Sequence, residues 1–171
     1  MIVLGIDSST SATGWAVLEL EKNGKTLKDQ TPYNKNATII CSGVIRPDEN
    51  LDYLHKVTYI MQEIEKIIDQ YLPMFIVIEE VSVMRNMKII RMLSGLITVL
   101  QVMACRKGII SLVAVPSQWR KHLQFPKADR KGYKKLAIEY VRTEFGIDAP
   151  EDEAEAICIS KYGEIFDIVY T

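Results

Sequence analysis

Hydrophobic positions along the chain follow two periods, and the switches between them mark the elements. Residues 2–6 are an apolar run of strand length, closed by Asp7 and a hydroxyl-rich stretch at 8–13. Residues 14–18 read as a second strand, antiparallel to the first across that short connection. Residues 21–37 carry Lys, Asn, Gly, Asp and Pro and read as an exposed hairpin loop. Residues 38–45 form a third strand, ended by Pro47 and Asp48. From Leu51 the period changes. Leu51, Leu54, Val57, Ile60, Met61, Ile64, Ile67, Ile68 and Tyr71 recur at three and four, which predicts an amphipathic helix, and Pro73 stops it. Residues 74–78 contain no polar side chain, as a strand buried on both faces requires. A second helix is predicted over 87–107 with Gly108 as its stop, then a strand over 109–115, then helices over 133–145 and 152–165.

The order β-β-β-α-β-α-β-α-α predicts an α/β domain: a five-stranded mixed sheet, three antiparallel strands followed by parallel ones, flanked by helices. A chain of 171 residues suits one domain over 1–171. The helix over 87–107 is apolar on more than one face, with Met87, Ile89, Ile90, Met92, Leu93, Leu96, Ile97, Val99, Leu100, Val102 and Met103. Such a helix is covered on two sides. One side is expected on the sheet and the other against a second copy of the chain, which predicts a homodimer through 87–107. A helix sandwiched within the monomer is the alternative.

Composition removes several classes. At 48% hydrophobic and 25% charged residues, neither disorder nor a collagen-like repeat fits. Cys41, Cys105 and Cys158 are odd in number and lack metal-like spacing, so they read as reduced thiols packed as small apolar residues. The N-terminus has no basic region or cleavage site, and Lys88, Arg91, Ser94 and Gln101 interrupt the longest apolar stretch. A cytoplasmic protein without a membrane span is expected, in the host cytoplasm if the source is viral.

The acidic residues carry the chemistry. Asp7 ends the first strand and Glu79 directly follows the fourth, so both fall at the carboxyl edge of the sheet, where open α/β sheets place ligands. Glu79 is preferred to Glu80 because it follows the strand directly. Asp152 and Glu155, three apart, share a face near the start of the last helix. Four converging anions raise one another's pKa, and divalent cations resolve the conflict. An all-carboxylate donor set suits Mg²⁺ or Mn²⁺, and two such ions support phosphodiester hydrolysis. Simpler readings exist: Asp7 as the start of a turn with Ser8 and Ser9, and Glu151, Asp152, Glu153 and Glu155 as acids suited to a helix N-terminus.

The charge balance is deceptive. The whole chain carries −1, yet Arg120, Lys121, Lys127, Arg130, Lys131, Lys134 and Lys135 against Asp129 give residues 120–135 a net charge of +6. The remainder therefore carries −7. Trp119, Phe125 and Tyr133 interleave with the cations, the pattern of a phosphate-backbone binder. A solvated helix face with an ordinary loop is the plainer reading. Lys131, Lys134 and Lys135 are expected to form one stripe. His122 falls in what reads as a basic loop, within reach of phosphate and without a catalytic role. His55 reads as a packing or surface residue of the first helix.

These landmarks in order resemble the RuvC family of Holliday junction resolvases, within the RNase H-like superfamily. The resemblance rests on Leu4-Gly-Ile-Asp7, Thr13-Gly-Trp-Ala-Val17, Val77-Ile-Glu79-Glu-Val81, Val115-Pro-Ser-Gln-Trp-Arg120 and Asp152-Glu-Ala-Glu155-Ala-Ile-Cys-Ile159. It implies an RNase H-like fold and assigns Asp7, Glu79, Asp152 and Glu155 to the four metal-binding acids. Arg120 and Lys131 match basic positions that approach the cleaved strand, and the helix after Glu79 matches the dimer helix. A two-metal endonuclease nicking branched DNA, with no nucleotide cofactor, is the implied activity. Three departures point to a divergent, phage-type member: Glu155 where the bacterial enzymes have Asp, Ser82 where they carry a wedge Phe, with Met84 as a partial substitute, and a longer insertion at 21–37.

Two other classes remain open from sequence. Residues 5–10 also resemble the first phosphate loop of sugar kinases and actin-like ATPases, but those need two domains and an adenosine site, for which 171 residues leave no room. A catalytically inactive relative that binds branched DNA is the other.

Overall fold

In a computed structural model, residues 1–21, 36–81 and 86–166 are described. Most of the expected insertion, together with Ser82 and Met84, lies outside them. One five-stranded sheet runs in the order β3-β2-β1-β4-β5. Its strands are β1 (Ile2–Asp7), β2 (Thr13–Leu20), β3 (Ala37–Ile45), β4 (Phe75–Glu79) and β5 (Ile110–Ala114). β1 pairs antiparallel with β2 and parallel with β4, and β5 continues parallel to β4. The mixed sheet is as expected.

The two-residue alternation of β1 and β4 sorts side chains onto two faces. Leu4, Ile6, Ile76 and Ile78 pack under α1 (Tyr53–Tyr71) and α2 (Met87–Arg106). Val3, Phe75 and Val77 pack under α5 (Glu151–Tyr162), with α3 (Pro116–His122) and α4 (Arg130–Phe145) beside it. Asp7 and Glu79 continue the second set and so emerge on the α5 face.

Helix ends follow local chemistry. Asp52 caps α1 by accepting the His55 N–H at 3.0 Å, and Asp129 caps α4 by accepting the Gly132 N–H at 2.7 Å. Gly146, at φ 70°, ends α4 in the left-handed conformation that glycine adopts without strain.

Three expectations need correction. His122, expected in a basic loop, is the last residue of a helix over Pro116–His122. The first turn of that helix starts at Pro116, and the Gln118 side chain accepts the Val115 N–H at 3.0 Å. α4 starts at Arg130, three residues before the expected Tyr133, because Asp129 caps it. The last helix stops at Tyr162 and continues as a 3-10 turn, Gly163–Ile165. A Cβ on Gly163 would meet Val3 Cγ1 at 2.6 Å, so this turn sits tightly against β1.

α2 buries Leu96, Ile97, Leu100, Met103 and Ala104. Tyr53 donates its hydroxyl to the Met92 carbonyl at 2.7 Å and ties α1 to α2. By length and composition alone, α2 is apolar enough to cross a membrane. Its inner face here belongs to the core.

Candidate active site at the carboxyl edge of the sheet

Strand pairing brings the first two acids together. Ile6 is in register with Ile78, so Asp7 and Glu79 stand side by side at the ends of neighbouring parallel strands. α5 supplies the other two, and it can do so because β1 and β2 carry glycine where its backbone crosses them. A Cβ on Gly5 would lie 2.5 Å from the Ala156 carbonyl oxygen, and one on Gly14 would overlap the Asp152 carbonyl. Glycine at both positions lets the backbone of α5 rest on β1 and β2. Asp152 and Glu155, on its first turns, then face Asp7 and Glu79 across one cleft of about 630 Å³.

Burial and mutual repulsion dominate the electrostatics. The Asp7 carboxyl is pushed well above its usual range, first by burial and then by Glu79, Glu155 and Asp152. Glu155, 6% exposed, is raised to about 7 by burial and by Glu79, with Lys134 and Arg120 opposing. Burial also raises Glu79, although the Trp119 indole N–H, Arg120, Asp7 and Lys134 all favour its charged form. The direct interaction of the two carboxyls raises Asp7 and lowers Glu79, against the upward push of burial on both.

α3 closes the cleft over these acids. Trp119 is fully buried and donates Nε1–H to Glu79 Oε1 at 2.9 Å. The Arg120 guanidinium lies between two acids, with Nη2 3.9 Å from Glu79 Oε1 and 3.7 Å from Glu155 Oε1. It stacks on Tyr133, 4.3 Å from the ring centroid. Lys134 pairs with Glu151, and Arg46 Nη2 stands 4.0 Å from Asp152 Oδ2. Ser42 donates to Glu153 at 2.6 Å, which ties β3 to the first turn of α5.

The cations of residues 120–135 divide into two groups. Arg120, Arg130 and Lys134 line the cleft. Lys121, Lys127, Lys131 and Lys135 are exposed outside it. The expected stripe is therefore split, with half-buried Lys134 turned to the cleft. The interleaved aromatics are corrected more sharply. Trp119 and Phe125 belong to the core and meet edge to face at 5.7 Å, and Tyr133 alone of the three lines the cleft. His122 does not face a phosphate route either: its Nε2 stands 2.9 Å from the buried Glu164 Oε2. His55 is exposed beside Asp52.

Sequence reasoning missed the Trp119–Glu79 contact. The usable signal was that a buried indole N–H needs an acceptor. It also missed the wall formed by Ser8, Ser9, Thr10 and Ser11. The hydroxyl of Ser8 and the Nε of Arg120 are buried and unpartnered within the described chain, as in a site shaped for an oxygen-rich ligand. The opposite wall is apolar, with Ile89, Met92 and Leu93 of α2.

The donor set is carboxylate oxygen, which fits a hard divalent cation. Among the described residues, no trio of His, Cys, Asp or Glu stands ready-made around one ion position. Within the cleft Glu79 accepts the Trp119 N–H, and the Arg120 guanidinium stands between Glu79 and Glu155.

Comparison with known proteins gives consistent matches. A family model described as crossover junction endodeoxyribonuclease RuvC matches residues 3–160. The RuvC of Fusobacterium nucleatum is 23% identical over 160 residues, covering 93% of this chain and 77% of that protein. The RuvC of Rickettsia bellii is 36% identical over 86 residues, covering 50% of this chain and 47% of that protein. Among solved structures, Thermus thermophilus RuvC in complex with Holliday junction substrate superposes with a TM-score of 0.77 at 17% identity, over 97% of this chain and 94% of that one. The fowlpox virus resolvase with its Holliday junction DNA gives 0.62 at 12% identity, over 97% and 99%. At such identities the superpositions establish a shared fold and nothing more.

Proposed function

Because the chain belongs to the RuvC family of crossover junction endodeoxyribonucleases, we propose that it is a metal-dependent endonuclease that nicks four-way DNA junctions. One observation carries the reading. Asp7, Glu79, Asp152 and Glu155, from three separate segments, line a single cleft that Glu80 also borders, together with Arg120, Arg130 and Lys134, cations suited to a DNA phosphate.

Asp7, Glu79, Asp152 and Glu155 would hold Mg²⁺ or Mn²⁺, and four acids are enough for the two ions of phosphodiester chemistry. Such cations supply charge compensation and Lewis-acid activation of water and phosphate oxygens. The protein's own part is to hold the reactants. Trp119 fixes the rotamer of Glu79 through its N–H. Arg120, Arg130 and Lys134 draw the scissile phosphate into the cleft and offset the charge that builds on it. Arg120 stands between Glu79 and Glu155 as a built-in counter-cation, and its planar guanidinium is suited to move onto a phosphate once those acids are otherwise neutralised. The exposed Lys121, Lys127, Lys131 and Lys135 would hold the flanking duplex.

The outer side of α2 supports a two-fold dimer. Met87 and Val102 are 61% and 53% exposed on a helix whose other face is core. A symmetric pair of clefts suits a substrate with two equivalent strands.

The test is a panel of labelled four-way junctions, forks and linear duplexes, incubated with Mg²⁺ or Mn²⁺. Paired nicks in the junction, with little cutting of linear duplex, are expected. Metal-independent binding without a nick on any substrate would mark the chain as an inactive junction binder.

A further inference from the structure

A second cluster of buried ionisable side chains lies outside the cleft. Glu164 is fully buried in the 3-10 turn after α5, at the opposite end of that helix from Asp152 and Glu155. His122 Nε2 stands 2.9 Å from its Oε2, and Lys161 Nζ stands 2.7 Å from its Oε1. The Tyr162 ring meets the His122 imidazole nearly edge-on at 5.2 Å. Both oxygens of the buried Glu164 carboxyl thus face a nitrogen, and these side chains pack as a set.

The set matters because of what His122 terminates. It is the last residue of α3, and α3 delivers Trp119 and Arg120 to the acids. α3 is therefore pinned to α5 at two levels: Arg120 beside Glu155 near the start of α5, and His122 on Glu164 beyond its end. Two fixed points set both the height and the rotation of a seven-residue helix. Neither His122 nor Glu164 lines the cleft.

From this geometry we infer that the His122–Glu164 pair is a positioning element for the cleft, seating α3 so that the Trp119 N–H meets Glu79 and the Arg120 guanidinium lies between Glu79 and Glu155. The inference rests on reading the cleft as the nuclease site. A displacement of about 1 Å in positioning groups costs up to ~100-fold in rate. Loss of the pair therefore acts on turnover and spares DNA affinity, which the exposed lysines carry.

The test uses a Trp15→Phe background, in which Trp119 is the one remaining tryptophan of the chain's two. His122→Phe keeps a ring against Tyr162 and removes the donor to Glu164; His122→Gln keeps a donor. Single-turnover rate and KM on a four-way junction with Mg²⁺ are measured beside Trp119 emission and its quenching by acrylamide. For His122→Phe, the rate is expected to fall about 10- to 100-fold. KM should stay within about twofold, and Trp119 should become more accessible. His122→Gln should restore rate and emission together. A His122→Phe protein with wild-type rate and wild-type emission, or one altered only in melting temperature, would overturn the proposal. If that variant does not fold, Glu164→Gln takes its place, with the same expected direction and the same overturning result. Failure of the Trp15→Phe parent to cut any junction would count against the nuclease reading, whereas Trp119 emission would still decide how α3 is seated.

Discussion

Crowding four carboxyls into one cleft leaves a signature at the scale of single residues. Glu155 is held near 7 instead of 4.5, and Asp7 and Glu79 are raised with it. A carboxyl whose pKa rises on folding binds its proton more tightly in the native chain. Its contribution to stability is complete below about pH 4.5 and is lost as the pH climbs through about 7. The metal-free protein should therefore melt at progressively lower temperature from pH 5 to pH 8. Glu155→Gln should flatten that profile and gain about 1–3 kcal/mol at pH 8. Saturating Mg²⁺ should flatten it in the wild type. A melting temperature independent of pH in chelator would show that the acids do not repel. Glu79→Gln keeps an oxygen for the Trp119 N–H, and without metal it should melt no lower than wild type. A large fall would make Glu79 structural. The placement of the four acids was legible in sequence, because Asp7 and Glu79 close strands and Asp152 and Glu155 fall in the first turns of a helix. What Trp119 and His122 do was not legible. Both look like members of a basic, aromatic stretch, and only the return of α5 reveals that they point inward to Glu79 and Glu164.

At the scale of elements, the site depends on how closely one helix can lie on the sheet. Gly5 and Gly14 carry no side chain where the backbone of α5 passes, and that contact sets the depth of Asp152 and Glu155. Gly14→Ala should destabilise the fold by about 2–3 kcal/mol or more, measured by urea unfolding, because the added methyl meets backbone and not a yielding side chain. If Gly14→Ala unfolds at the wild-type urea midpoint, α5 does not rest on β2 as described. The strands and the two long helices were legible from periodicity, since each buries a regular face. α3 was not. Its seven residues complete barely two turns, too few to display a period, and only Pro116 at its start signals a helix. The stop of α5 at Tyr162 was hidden for a related reason, since the apolar pattern runs on through the 3-10 turn against Val3.

For the whole molecule, a net charge of −1 conceals a separation of sign. Asp7, Glu79, Glu80, Asp152 and Glu155 meet in the cleft, while four lysines of the +6 segment face outward. Junction affinity measured in Ca²⁺ or EDTA should fall steeply with salt, by about one power of salt concentration per phosphate neutralised. Charge reversal at Lys131 and Lys135 should reduce that slope and leave the fold intact. The breadth of the apolar surface on α2 was legible, but its division was not: part of it forms a wall of the cleft, and Met87 and Val102 remain exposed. In sedimentation equilibrium the wild type should run at twice the chain mass and Val102→Glu at the chain mass. A monomeric wild type would remove the two-fold arrangement from the account.

The central claim is that the four cleft acids cut DNA, and single-turnover cleavage of an end-labelled four-way junction by wild type and Asp7→Asn tests it most directly. With Mg²⁺ present, the wild type should nick the junction, while Asp7→Asn should still bind it and lose cleavage by at least about 10³-fold, the scale on which removing a key transition-state group acts. Equal cutting by the two proteins would contradict the account.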